Sequence, residues 1–204
     1  MDQKKNYILA IESAIAGGSL ALLDHENVIS SRFGDGSVSR AEDLLPNIVS
    51  MLEEAGISKD QLSRVAVSLG PGSYTGLRIG ISTAMGLKRG LGIEYVGVPL
   101  FEALSEGRSD TLIAVPMGKT DICFVDSNAP ETSRVVSADA FAEILRTSRN
   151  LRVLVHPALT DKLDSVPGIE LLDPNLASYI GRAAARRTPS EKLEPIYVQN
   201  PRFG

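Results

Sequence analysis

The sequence predicts an α/β fold of two lobes, and three observations lead there. Apolar runs of strand length open the chain at residues 7–12, 19–23 and 27–33 and read as an antiparallel meander. Strand and helix patterns then alternate from residue 64 to residue 105. After a polar joint at 106–110 the second half repeats the strand-then-helix style less cleanly.

In order along the chain, residues 7–12 form a buried strand that ends in an acid, Glu12, and residues 13–18 are small and turn-prone. Gly34, Asp35 and Gly36 break the meander. Ser39-Arg40-Ala41-Glu42 has the spacing of a capping box, and Ala41, Leu44, Leu45, Ile48, Met51, Leu52 and Ala55 follow at helical intervals. Pro46 removes an amide from that helix and predicts a kink; Gly56 stops it. A continuous apolar strand at 64–69 leads into a glycine-rich turn and a helix over 75–89, ended by Gly90 and Gly92. Leu77, Ile81, Ala84 and Met85 make its bulky stripe. Thr75, Ile79, Thr83, Gly86 and Gly90 make a small second face where a solvated helix would carry charges, so both faces read as packed. A strand at 94–98 and a short helix from 99 to 105 complete the first lobe, residues 1–106. In the smaller second lobe, residues 107–204, strands are expected at 111–115, 121–126, 152–156 and 196–198, and helices at 138–147 and 175–187.

Composition narrows the function classes. With 43% hydrophobic and 23% charged residues over 204 positions the chain is an ordinary folded domain. A single cysteine, Cys123, excludes an internal disulfide and fits a reducing cytoplasm. The net charge of −4 lacks the basic footprint of a nucleic-acid binder. No run approaches the ~20 apolar residues of a membrane span, and the apolar stretch at 7–11 is too short for a signal-peptide core.

Among the candidates for chemistry, Gly70, Gly72 and Gly76 stand between a strand and a helix. They suit either an anion cradle, with Ser73 beside it, or a tight turn in which glycine allows close packing. The spacing G-x-G-x-x-x-G is not the dinucleotide fingerprint. Gly118-Lys119-Thr120 lacks the earlier glycine of a phosphate loop, since Ile113 stands there, and reads as a turn. His25 and His156 lie far apart without ligand spacing, so no metal site is expected. Cys123 reads as a buried thiol, and Ser73 and Thr75 as helix-capping hydroxyls without a base. No catalytic set is assembled. Glu12, at the end of a central strand, is divided between a ligand-facing acid and a solvated edge.

The stretch Val67-Ser68-Leu69-Gly70-Pro71-Gly72-Ser73-Tyr74-Thr75-Gly76-Leu77-Arg78-Ile79-Gly80 resembles the central signature of the TsaB (YeaZ) family. Ile8-Leu9-Ala10-Ile11-Glu12-Ser13 resembles its opening strand, with Glu12 where aspartate is usual. Ala41-Glu42-Asp43-Leu44-Leu45-Pro46 resembles its first helix, with Arg40-Ala41 where His-Ser is common. Pro195-Ile196-Tyr197-Val198-Gln199-Asn200 resembles its closing motif, while residues 116–123 depart from the family pattern. The resemblance implies an actin-like, sugar-kinase-like (ASKHA, ribonuclease H-like) fold. It also implies a non-catalytic subunit that binds and activates the catalytic relative TsaD in threonylcarbamoyladenosine modification of tRNA. It further implies a homodimer when alone, a TsaE-type ATPase met through the complex, only indirect contact with tRNA, and ATP or ADP with Mg²⁺ only in the complex. The expected docking residues are Leu44, Leu45, Ile48 and Leu52 on the first helix and Thr75, Ile79, Thr83 and Gly86 on the second. The next reading is a nucleotide-binding, ATPase-like enzyme that uses the glycine loop and Glu12. A glycoprotein endopeptidase-like metalloprotein ranks last, because a zinc hydrolase needs three protein ligands.

Overall fold

A computed structural model describes residues 6–33, 39–147, 151–164 and 166–198. The break expected at Gly34–Gly36 and the closing residues Gln199 and Asn200 lie outside them. The first sheet takes β1 (Tyr7–Glu12), β2 (Ser19–Asp24), β3 (Asn27–Phe33), β4 (Leu62–Gly70) and β5 (Glu94–Pro99) in the order β3-β2-β1-β4-β5. The meander β1–β2–β3 is antiparallel, and β1, β4 and β5 are parallel. Between them run α1 (Ala41–Glu54) and α2 (Tyr74–Leu91), and α3 (Leu100–Ser105) follows β5.

The second sheet repeats that plan. It takes β6 (Thr111–Met117), β7 (Asp121–Asp126), β8 (Arg134–Ser137), β9 (Arg152–Val155) and β10 (Ile169–Leu171) in the order β10-β9-β6-β7-β8. An antiparallel meander is again followed by parallel strands. Here α4 (Ala138–Thr147) precedes β9, a 3₁₀ turn at Pro157–Lys162 stands where α2 stood in the first half, and α5 (Leu176–Ala185) comes last. Strands β8 and β10, of 4 and 3 residues, are too short to stand out as apolar runs, and the sequence reading missed both.

The strand period of two distributes side chains to opposite faces. Leu9 and Ile11 join Leu44, Ile48, Met51, Leu52 and Ile81 under α1 and α2. Ile8 and Ala10 turn the other way, into a core built with α3, α5 and the inner face of the second sheet, Ile113, Val115, Cys123 and Val125. A third core lies between that sheet and α4, around Phe124 and Phe141. The layers are therefore helix, sheet, helix, sheet, helix, with α3 and α5 in the middle.

Contacts of the first sheet cross the division expected at residue 106. Helix α5, although in the second half of the chain, lies on the first sheet: Asn175 Nδ2 donates to Leu20 O at 2.9 Å, and Arg64 donates to Ala184 O at 3.0 Å. Ala10 and Leu23 come so close to Gly181 that a Cβ there would sit 2.3 Å from a Leu23 methyl. The tail also returns to this sheet, with Ile196 N–H donating to Leu69 O at 2.7 Å, but residues 196–198 pair too little to form the expected strand.

One local expectation for α1 also changes, at its N-terminus. Arg40, extended and without a side-chain cap bond, is the N-cap in place of Ser39, and Glu42 and Asp43 place negative charge in the first turn. The helix continues through Pro46, whose neighbour Asn47 donates its amide to Asp43 O at 3.0 Å.

Candidate functional site

The site is built from the turn after β1. Glu12 is fully buried. Its two carboxylate oxygens accept the amides of Ala14 at 2.8 Å and Ile15 at 3.2 Å. Burial pushes its carboxyl up to about 7, while the two amide donors pull it back. The acid is thus not a solvated edge; both of its oxygens are engaged by the backbone of the 13–15 turn, which it holds.

That turn is what the glycines face. A Cβ on Gly72 would lie 2.5 Å from Ala14 Cβ, on Gly76 2.2 Å from Ser13 O, and on Gly80 2.3 Å from Ser13 Oγ. Ser13 Oγ donates to Gly76 O at 2.8 Å and Ser73 N–H donates to Ala14 O at 3.0 Å. Ser73 Oγ caps α2 by accepting from Gly76 N–H at 3.1 Å, and Gly70, at φ +95°, donates to Ser68 Oγ at 3.2 Å. The amides of Gly70, Ser73 and Gly76 are engaged inside the chain, and the backbone of residues 13–14 fills the concavity. These contacts are those of the turn reading of Gly70, Gly72, Ser73 and Gly76. Gly80 was missed, although its 72–76–80 spacing of four is visible in the sequence.

With its glycine row clamped, α2 turns another face outward. Leu77, Ile81 and Ala84 are buried, whereas Met85, expected in the same stripe, is 53% exposed. Thr75, Ile79 and Thr83 line a groove of about 460 Å³ together with Ala41, Tyr74, Arg78 and Ser82. Gly86 lies exposed further along the helix, with no atom within 4 Å of a Cβ there. On α1 the expected stripe splits. Leu44, Ile48 and Leu52 belong to the core under the sheet and are not available to a partner. Leu45 stays at the surface together with Val49, which the sequence reading did not single out. Ala41, Leu45 and Val49 recur at intervals of four, one exposed row that begins at the groove.

A second concavity, of about 330 Å³, opens between the lobes. Ser13, Ser39 and Ser73 face Gly118, Ala158 and Lys162 across it, and among the described residues no carboxylate lines it. Lys162 Nζ donates to Lys119 O at 2.6 Å. His156 is buried, its Nδ1 accepting from Ala158 N–H at 3.1 Å, and burial lowers its basicity. Burial pushes the Cys123 thiol up to about 12. Among the described residues no three His, Cys, Asp or Glu side chains come together to hold a metal, and no helix is long and apolar enough to cross a membrane.

Comparison with known proteins fits this architecture. A protein of Escherichia coli K12, "tRNA threonylcarbamoyladenosine biosynthesis protein TsaB", is 32% identical over 100 residues, covering 49% of this chain and 43% of the relative. The chain spans about half the length of the curated relatives it matches. The structure "YeaZ from Pseudomonas aeruginosa" superposes with a TM-score of 0.63 at 20% identity over 95% of this chain and 100% of that one. The ethanolamine utilization protein EutJ of Carboxydothermus hydrogenoformans superposes with a TM-score of 0.52 at 13% identity over 87% and 89%. These structures share the fold, which is the two-lobed, actin-like α/β fold expected from the sequence. The family model described as "TsaD: tRNA N6-adenosine threonylcarbamoyltransferase" matches residues 37–154. With more than half of its length matched, and with relatives named TsaB and YeaZ, the chain belongs to this threonylcarbamoyltransferase family, on its TsaB (YeaZ) side.

Proposed function

We propose that the chain is a non-catalytic subunit that binds TsaD and activates it in threonylcarbamoyladenosine modification of adenosine 37 in tRNA. The outer face of α1 and α2 is its docking surface. The observation that carries this reading is the groove lined by Thr75, Ile79 and Thr83, bordered by the exposed row Ala41, Leu45 and Val49. Two adjacent helices with small and apolar outer rows can meet a like pair as a four-helix contact. The family model spans both α1 and α2, so a chain of the transferase family carries the corresponding helices. A second copy of this chain takes the same face when TsaD is absent. A TsaE-type ATPase and any ATP or ADP with Mg²⁺ join through the complex, in the cytoplasm. At a net charge of −4 this subunit supplies little of the charge that tRNA phosphates call for.

Thr83→Arg tests the face. The long charged side chain enters an open groove, so the lone chain folds with an unchanged melting midpoint. Capture of TsaD, the homodimer and the modification activity of the mixture are lost, because a buried unpaired charge costs several kcal/mol. A folded Thr83→Arg chain that captures TsaD as well as the wild type does refutes the assignment.

A further inference from the structure

The tail after α5 is tied along the outer edge of the first sheet. Ser190 N–H donates to Tyr95 O at 3.0 Å, and Gly97 N–H donates to Ser190 Oγ at 3.0 Å. Tyr95 OH donates to Glu191 O at 2.8 Å, and Ile196 N–H reaches Leu69 O at 2.7 Å. These bonds deliver Tyr197 onto Tyr74 in the first turn of α2, with ring centroids 5.2 Å apart and planes at 33°. The Arg78 guanidinium lies 4.0 Å from the centroid of the same Tyr74 ring.

Three features of this cluster point outward. Tyr74 and Tyr197 remain 52% and 48% exposed although they stack. Arg78 is exposed and has no ion pair among the described residues. Tyr74 and Arg78 also line the α1–α2 groove, so the rings continue its surface. Half-open tyrosines beside an arginine are the composition of interface anchors. A guanidinium stacked on a ring is pre-oriented and keeps its N–H edge free for a carboxylate.

We propose that Tyr74, Arg78 and Tyr197 form an anchor at the end of the docking groove that takes an acidic side chain, flanked by apolar surface, from the TsaD subunit. The C-terminal tail is then part of the docking face and not only a cover for the sheet edge. This rests on the docking reading above. The occupant is the TsaD subunit of that docking reading, and the open guanidinium edge of Arg78 sets the acidic charge it brings.

The test is calorimetric titration of the full chain with TsaD, with melting midpoints recorded for each variant. Tyr197→Ala and Arg78→Glu should each weaken TsaD binding by about 10-fold or more, and Tyr197→Phe, which keeps the ring, by less than about twofold. All three keep the wild-type midpoint to within about 2 °C, since surface changes cost little stability. The Arg78→Glu defect should shrink as salt is raised through the Debye range. Wild-type affinity of Tyr197→Ala overturns the proposal, as does a loss no greater than its unfolded fraction. Thr83→Arg separates the two claims. If it abolishes binding while Tyr197→Ala binds normally, the groove stands and the anchor falls; the reverse pattern keeps the anchor and removes the groove.

Discussion

Replacing Gly76 by alanine adds one methyl group at the tightest contact around α2. The new Cβ would stand 2.2 Å from Ser13 O, 2.6 Å from Ser73 Oγ and 2.7 Å from Ala14 Cα. Two of these are main-chain atoms, so no side chain can rotate away, and the helix must lift by about 1 Å to restore ordinary contact. Overpacking of this kind costs ~1–3 kcal/mol. Lifting also stretches the buried bond from Ser13 Oγ to Gly76 O, now 2.8 Å, and the cap bond from Gly76 N–H to Ser73 Oγ, now 3.1 Å. Together these bonds contribute ~1–2 kcal/mol, so the substitution costs about 3 kcal/mol in all. For a chain of this size that lowers the melting midpoint by roughly 6–12 °C. Gly86→Ala is the internal control. It lies in the same helix with no atom within 4 Å of a Cβ, and should gain ~0.5–1 kcal/mol from helix propensity. Scanning calorimetry of the two variants decides the matter. A Gly76→Ala protein that melts within about 2 °C of the wild type would refute the clamp between the 13–15 turn and α2.

Glu12 makes stability depend on pH. Its carboxyl is raised from 4.5 to about 7 in the folded chain, so its contribution is fully present below 4.5 and is lost as the pH rises through 7. Glu12→Gln does not titrate, and its stability relative to the wild type should improve by up to about 3 kcal/mol between pH 4.5 and pH 8; a difference that is flat across that range in urea melts removes this account of Glu12. The two faces of α1 should separate by assay. Leu44→Ala empties a fully buried position and costs ~2–5 kcal/mol, with TsaD affinity per folded molecule unchanged. Leu45→Asp, on the half-open row, changes stability by less than ~0.5 kcal/mol and abolishes TsaD capture; equal capture by the two variants would contradict the split.

Strand and helix periodicity needs only neighbours in sequence, and for that reason most elements were readable before any coordinates. The apolar run in Tyr7–Glu12, the interval of three and four in Ala41–Glu54 and the serine before Tyr74 are local signals of buried strand, helix face and cap. The glycine-rich turn and the small face of α2 were equally visible, and so was the family resemblance they carry. What a residue faces is not local. Leu44 and Leu45 are adjacent leucines, and only the sheet beneath α1 makes one core and the other surface. Glu12 ends an apolar strand in either reading, and only the amides of Ala14 and Ile15 turning back over it make burial tolerable. Gly72 and Gly76 could have met phosphate or polypeptide; the β1–β2 turn, some 60 residues earlier in the chain, is what fills the space. The return of α5 and the tail to the first sheet depends on Gly181, Asn175 and Ile196 finding partners far away in sequence, a matter of tertiary packing that no window of neighbouring residues contains.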